Sequence, residues 1–234
     1  MTFGALLFGS LLGQDASSTA GWQSMKILQT VNPVYPSHLL EVGVMEGKAR
    51  IVISTDEKGK LLDWLVVGYT QPAFAEAAVV AIKQWRFEPA RLWDEAVGIN
   101  TELEFDFKAS GVVVTLASLS DVIEGRFLSI LKGGYVYKPC PLQSLDKIPE
   151  PVSVVTPKYP TALADKGVKG AVTVEFYIDE NGLVRMPTVS PKDNSVLTAL
   201  AIESLGQWKF TPPTSKGRAV LVKASEVFDF EKHG

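Results

Sequence analysis

Apolar and polar residues alternate along several short stretches of this chain, and turn residues separate these stretches. Residues 171–178, Ala-Val-Thr-Val-Glu-Phe-Tyr-Ile, are rich in β-branched and aromatic side chains, and Asp-Glu-Asn-Gly follows at 179–182. This pattern predicts a strand and a hairpin turn, because Asn-Gly accepts the left-handed backbone that such turns need. A second strand is predicted from residue 183 to about 189, and the last strand over 219–230.

Helical spacing appears twice in the same region. Pro160 and Gly167 bracket a predicted helix over roughly 160–166, because proline suits the first turn and glycine the end of a helix. A second helix is predicted over 197–205, where apolar and small residues recur at helical spacing. The residues on its apolar face are Leu197, Leu200, Ala201, Ser204 and Leu205.

The same order of elements occurs earlier in the chain. Residues 47–107 align with residues 170–230 without a gap. Gln-Trp-Arg-Phe at 84–87 falls on Gln-Trp-Lys-Phe at 207–210. The first copy therefore predicts a helix near 36–42, strands at 48–55, 60–67 and 97–107, and a helix at 72–84.

Two spaced copies indicate two small domains of one design. We predict an α+β fold, with two tandem copies of a small antiparallel sheet packed with two helices. The predicted segments are a leader at 1–20, a first domain at 28–108, a connector at 109–150 with a proline-rich end, and a second domain at 151–231. Within the connector, we predict a strand at 112–116 and a helix that begins at Ser120 and runs to about residue 131. The prolines that follow predict an extended tether.

Charge and cysteine content narrow the possible partners. The 234 residues include 23 basic and 26 acidic ones, a net charge of −3. No run of Lys or Arg is long enough to follow a phosphate backbone, so we expect no nucleic acid partner. Cys140 is the single cysteine of the sequence, so an internal disulfide cannot form.

The first residues raise the question of cellular location. Residues 3–13 form an apolar run, shorter than the roughly 20 residues a membrane helix needs. Its length matches the apolar part of a secretory signal, and small residues follow at 18–20. A secretory signal usually has Lys or Arg before its apolar run, and this sequence has neither there. We expect an export signal and keep a disordered cytosolic leader as the alternative.

Candidate catalytic and metal-binding residues do not recur between the copies. His38 and His233 have no counterpart in the other copy and no ligand-spaced partner. The Asp-Glu pairs at 56–57 and 179–180 lie beside glycines at hairpin turns, where Asp bonds the backbone. Cys140 lies between two prolines with no base in view. We therefore expect no enzyme activity, no metal and no cofactor.

The triplets Trp-Arg-Phe at 85–87 and Trp-Lys-Phe at 208–210 are the sharpest shared marks. An aromatic-cation-aromatic triplet can stack on bases or sugars. In an extended chain, however, residues two apart share a face, so Trp and Phe can cover the core while the cation faces water. We interpret both triplets as core-forming.

A series of motifs recurs in one order in both copies. Pro-x-Tyr-Pro precedes a glycine, a strand ending in Ile-Asp-x-x-Gly, a helix, Trp-Lys/Arg-Phe-x-Pro and a closing Phe-x-Phe strand. The second copy carries this pattern over 155–231, and the first carries a looser version over about 31–107. Its signature and core residues are Tyr159, Pro160, Gly167, Gly170, Gly182, Trp208, Phe210 and Pro212. The pattern resembles the carboxy-terminal domain of the TonB family.

The resemblance implies a periplasmic location and a mode of binding. Such domains bind a short extended peptide of an outer-membrane transporter by adding it to the edge of their sheet. A terminal strand has an unpaired edge unless something covers it, so the predicted fold permits this. We predict that the second copy binds such a peptide, or another envelope protein, and assists transport across the outer membrane. The predicted partner-binding residues are Val220, Val222, Lys223, Ala224, Ser225, Glu226, Val227 and Phe228.

Other functions stay open at this point. A full energy transducer of this family needs an inner-membrane helix and a long proline-rich arm, and the sequence shows neither. In a structural alternative, the two copies pair edge to edge within one chain and form a closed pseudo-dimer of the cell envelope that binds nothing. An enzyme is disfavoured because no acid, base or nucleophile recurs or clusters.

Overall fold

The computed structural model describes residues 21–116, 134–160, 169–189 and 196–230. The first copy comprises β1 (Trp22–Gln23), β2 (Lys26–Gln29), α1 (Ser37–Glu41), β3 (Glu46–Thr55), β4 (Leu61–Tyr69), α2 (Pro72–Ile82), β5 (Arg86–Glu88), β6 (Ala90–Leu92), β7 (Glu95–Val97) and β8 (Ile99–Lys108). The rest comprises β9 (Gly111–Leu116), a 3₁₀ helix (Leu142–Ser144), β10 (Pro151–Ser153), β11 (Ala171–Ile178), β12 (Val184–Val189), α3 (Val196–Leu205), β13 (Lys209–Phe210), β14 (Thr214–Ser215), β15 (Arg218–Ala219) and β16 (Val222–Asp229).

The described residues form a mixed α and β structure built mostly on antiparallel sheets, as predicted. The main sheet of the first copy has the order β4-β3-β8-β9, and that of the second copy has the order β12-β11-β16. The predicted strand at 112–116 is present as β9. The predicted last strand begins at Val222 rather than at residue 219, because β14 and β15 form a short hairpin just before it. The helix predicted at 160–166, the connector helix after Ser120 and the leader lie outside the described residues.

Each copy has the same hairpin turn between its first two long strands. The Asp56 carboxylate accepts hydrogen bonds from the backbone N–H groups of Lys58 and Lys60, at 2.9 and 2.8 Å. In the second copy, the Asp179 carboxylate accepts hydrogen bonds from the backbone N–H groups of Asn181 and Leu183, both at 2.9 Å. Gly182 has φ +80°, and a Cβ there would collide with the carbonyl oxygen of Phe210. The turn aspartates therefore serve the backbone.

A tryptophan closes the core of each copy at the same place. The Trp85 indole is buried, and its N–H donates to the Val31 carbonyl oxygen at 2.8 Å. The Trp208 indole is partly buried, and its N–H donates to the Val155 carbonyl oxygen at 2.9 Å. Each bond ties the segment that enters a copy to the end of its long helix. The cations of both triplets, at 86 and 209, are exposed.

The proline-rich approach to the second copy is extended, but it is not a free tether. The backbone N–H of Asp146 donates to the Thr214 carbonyl oxygen at 2.8 Å, and that of Thr211 to the Glu150 carbonyl oxygen at 2.9 Å. Strand β10 also pairs with β13. The end of the predicted connector, at Asp146 and Glu150, is thus hydrogen-bonded to the second copy. The domain boundaries themselves stay a prediction.

The two copies meet through side chains. Val52 and Val67 of the first copy form a buried cluster with Tyr177, Met186 and Leu221. Two polar contacts flank the cluster. Arg185 Nη2 lies 2.8 Å from Asp63 Oδ2, and the Asn100 side-chain amide donates to the Pro187 carbonyl oxygen at 2.9 Å. Among the described strands, none pairs with a strand of the other copy, so the edge-to-edge pairing of the structural alternative is not seen there.

Candidate partner-binding edge

The direction of each backbone amide in β16 follows from one hydrogen bond. The N–H of Phe230 donates to the Gly170 carbonyl oxygen at 3.0 Å, so this amide faces β11. The β11–β16 register continues from there without a shift to its end at Val222. Because successive residues of a strand point their amides to opposite sides, those of even-numbered residues face β11. The amides of Ser225 and Val227 therefore face away from β11, whereas that of Ala224 faces it.

The outward edge of β16 is open over its central part. At its beginning, the N–H of Cys140 donates to the Leu221 carbonyl oxygen at 2.7 Å, and Cys140 forms a parallel bridge with Val222. Beyond this point, β11 is the single strand paired with β16 within the described part of the chain. The side chain of Val227 is 58% exposed. Ser225 and Val227 thus present N–H and C=O groups to which another strand can pair.

The equivalent edge in the first copy is occupied by the chain itself. Strand β9 pairs antiparallel with β8, from Leu103 opposite Leu116 to Lys108 opposite Gly111. The N–H of Ala109 donates to the Met45 carbonyl oxygen at 2.9 Å, so the amides of even-numbered β8 residues face β9 by the same alternation. These residues include Glu104, which aligns with Val227 of the second copy. The connector therefore supplies to the first copy a strand that no described segment supplies to the second.

The packing of β9 shows what this edge accepts. Val112 and Val114 lie against the first hydrophobic core, while Val113 is 61% exposed between them. An added strand on this fold thus places alternate apolar side chains over the core and the intervening side chains in water.

The outer faces of the two edges differ in charge. The Lys48 ammonium lies 2.8 Å from Glu104 and 2.9 Å from Asp106, across β3 and β8. Partial burial opposes the charge on Lys48, but hydrogen bonds to both carboxylates outweigh it and raise the pKa of this ammonium above its usual range. Ala171 and Val227 stand at the positions of Lys48 and Glu104 in the second copy. The open edge is therefore less charged than the occupied one.

The structure divides the predicted partner-binding residues into groups. Val220 precedes β16, and its N–H donates to the Pro213 carbonyl oxygen. By the alternation of the ladder, the amides of the even-numbered residues at 222, 224, 226 and 228 face β11. The residues whose amides face outward are Lys223, Ser225 and Val227. Sequence reasoning missed Cys140, which covers the beginning of this edge.

Among the signature residues, Tyr159, Trp208 and Phe210 belong to the second hydrophobic core, and Gly182 lies at the hairpin turn. The Tyr159 ring packs 5.8 Å from that of Phe230, and the Trp208 ring lies 5.6 Å from that of Phe228. Phe210 is buried, and its N–H donates to the Gly182 carbonyl oxygen. Gly170 directly precedes β11, and Pro160 and Pro212 are exposed. Gly167 lies outside the described residues.

The described residues hold neither a metal-binding cluster nor a helix suited to crossing a membrane. Nowhere in 21–116, 134–160, 169–189 and 196–230 do three or more His, Cys, Asp or Glu side chains group so that they could hold a metal. Within the same ranges, no helix has the length and apolar character needed to cross a membrane. His38 lies on α1, and His233 lies outside these ranges.

Comparison with known proteins agrees with this geometry. The family described as Gram-negative bacterial TonB protein C-terminal matches residues 31–109 and again residues 155–231. The chain therefore belongs to the TonB C-terminal family and carries its domain in two copies, which confirms the resemblance found in the sequence. Protein TonB of Vibrio cholerae serotype O1 is 32% identical over 81 residues, which are 34% of this chain and 33% of that protein. The matched part thus covers a third of the relative, and the chain is a TonB-like envelope protein.

Proposed function

We propose that the second copy binds an extended segment of an outer-membrane transporter along β16, by strand addition, and so assists transport across the outer membrane. The observation that carries this proposal is the contrast between the edges. Strand β8 holds an added strand from its own chain, whereas the outward amides of Ser225 and Val227 have no ladder partner among the described residues. A partner strand would satisfy these groups as β9 satisfies those of β8.

The packing of β9 suggests which segments fit. By analogy with Val112 and Val114, the partner would carry apolar side chains at alternate positions, toward the helices of the domain. On the other face it would meet Ser225 and Val227, which carry no charge. Main-chain hydrogen bonds would supply much of the affinity, so the partner's sequence would be only loosely restricted.

This function places the chain in the periplasm, with residues 1–20 as the export signal. A purely structural role of the tandem copies is the second candidate, and the buried cluster between the copies favours it. The two candidates differ in one respect: the structural role requires no partner at β16.

Proline substitutions at adjacent positions test the proposal. Ser225→Pro removes an N–H that faces the open edge, so it should abolish binding and leave the β11–β16 ladder formed. Ala224→Pro removes an N–H that faces β11, so it should unfold or severely destabilise the second copy. Peptides from the periplasmic segments of outer-membrane transporters are titrated into the full chain, and binding is followed by amide chemical shifts in NMR spectra.

Ser225→Ala is the matched control, because it removes the hydroxyl and keeps the N–H. It should bind as the unchanged chain does, with shifts concentrated in β16. Binding that survives Ser225→Pro unchanged would refute strand addition at this edge. If no transporter peptide shifts any resonance of the unchanged chain, the structural role becomes the better account.

A further inference from the structure

The first copy contains a groove that plays no part in strand addition. It lies between the 56–60 hairpin turn, β4 and β5, and has a volume of about 620 Å³. Its walls include four cations, Lys58, Lys60, Lys83 and Arg86, and the half-buried Trp64 also lines it. No acidic residue is among those that line it. The chain as a whole has a net charge of −3, so this groove departs from the general charge balance.

The four cations have no acidic partner among the described residues that would neutralise them. Within the described residues, none of them lies within salt-bridge distance of a carboxylate. The ammonium of Lys83 instead lies over the Trp64 ring, 4.4 Å from its centre. This cation–π contact places the Lys83 ammonium beside the aromatic surface of the groove. The groove thus combines an aromatic surface with unneutralised positive charge.

Rigid elements hold the backbone that carries the cations of the turn. The Asp56 carboxylate accepts the backbone N–H groups of both Lys58 and Lys60, which locks the hairpin turn. Gly59 has φ +75°, and a Cβ there would collide with the carbonyl oxygen of Phe87, so the turn lies directly on β5. The backbone that borders the groove is therefore preformed, which lowers the entropy cost of binding.

The second copy shows that the fold does not need this set of residues. At the aligned positions, Asn181 stands for Lys58, Leu183 for Lys60 and Gly206 for Lys83. Pro187 likewise stands for Trp64. Of the four cations, Arg86 alone has a basic counterpart, at 209. Since the second copy builds the same turn and the same long strands without these side chains, their presence in the first copy points to binding rather than folding.

We infer that this groove binds an acidic peptide segment that also carries apolar side chains. Carboxylates of the segment would lie against Lys58, Lys60 and Lys83, and an apolar side chain would pack on Trp64. The volume of about 620 Å³ falls within the range typical of ligand sites. A concave groove with an aromatic wall suits an irregular peptide better than it suits the flat surface of an anionic membrane.

A charge-removal experiment on the full chain tests this inference. The probe is a fluorescein-labelled peptide of alternating glutamate and leucine, and binding is measured by fluorescence anisotropy at low and high salt. The groove variant combines Lys58→Gln, Lys60→Gln and Lys83→Gln. The control variant combines Lys138→Gln, Lys209→Gln and Lys216→Gln, which removes the same charge from exposed lysines elsewhere.

The groove variant should bind the probe about tenfold more weakly, because each exposed cation contributes a modest amount. The control variant should bind as the unchanged chain does, and salt should weaken binding by the unchanged chain. Equal losses in both variants would overturn the inference, since they would indicate attraction by overall charge. So would binding to vesicles of anionic lipid, reduced by the groove variant, with no binding to the peptide.

Discussion

The two copies share a sheet design but differ in what lies beside the closing strand. Strand β8 of the first copy is covered by β9, which the connector supplies. Among the described residues, β16 of the second copy is covered only near Leu221, by Cys140. Both closing strands point their alternate amides outward in the same phase, as the bonds of Ala109 and Phe230 indicate. The difference between the copies therefore comes from the connector. The first copy shows that the outer edge of the closing strand can hold an added strand.

The largest expected effects concern the tryptophan that both copies use. Trp85 is 6% exposed and Trp208 is partly buried, and each donates to a valine carbonyl. We expect Trp85→Ala to cost about 3–5 kcal/mol, and Trp208→Ala to lie near the lower end of this range. Urea unfolding followed by circular dichroism measures both. If Trp208→Ala melts normally and loses only peptide binding, its assignment to the core is wrong.

Opening the first edge should give an intermediate effect. The amide of Val113 faces β8 by the alternation of the ladder, so Val113→Pro removes its hydrogen bond and should release β9. The variant should then bind a further equivalent of transporter peptide, visible by isothermal titration calorimetry. Val113→Ala keeps the N–H and should leave the stoichiometry unchanged. Unchanged stoichiometry in Val113→Pro, with β9 released, would mean that the first edge is unsuited to binding.

The smallest expected effects concern the charges on the outer faces. Within the described residues, Lys48 forms ion pairs with two carboxylates in the first copy, whereas Lys223 forms one, with Glu175, in the second. Since ion pairs near the surface contribute little, Lys48→Met should cost about 1 kcal/mol and Lys223→Ala less. Lys223→Ala should also weaken peptide binding only slightly, because main-chain bonds carry the contact. A large loss of affinity in Lys223→Ala would indicate side-chain recognition instead.

Short-range sequence patterns predicted several strands and turns correctly, because the residues of each pattern themselves favour the local structure. Alternation located β11 at its observed bounds, and Asn-Gly located the turn that follows. The Val-Val-Val run at 112–114 likewise predicted a strand. It could not show that this strand pairs with β8, because alternation reveals which face is apolar and not which edge is adjacent. Only the structure therefore shows that β9 covers the outer edge of β8.

Contacts between residues far apart in the chain could not be predicted from the sequence for a similar reason. The prolines after residue 138 predicted an extended segment, yet the bonds of Cys140, Asp146 and Glu150 to the second copy depend on residues some sixty or more positions away. The cationic groove was also missed, since Lys58 and Lys83 become neighbours only when the turn packs on β5. The alignment of the copies did hold one signal, because the second copy lacks both lysines.

Amide hydrogen exchange of the full chain tests the contrast between the edges most directly. The account predicts slow exchange at Glu104 and Asp106, whose amides face β9, and fast exchange at Ser225 and Val227. Adding a transporter peptide should slow exchange at Ser225 and Val227 and leave Glu104 and Asp106 unchanged. Ser225 and Val227 amides that are already as protected as those of Glu104 and Asp106 in the free chain would contradict the account.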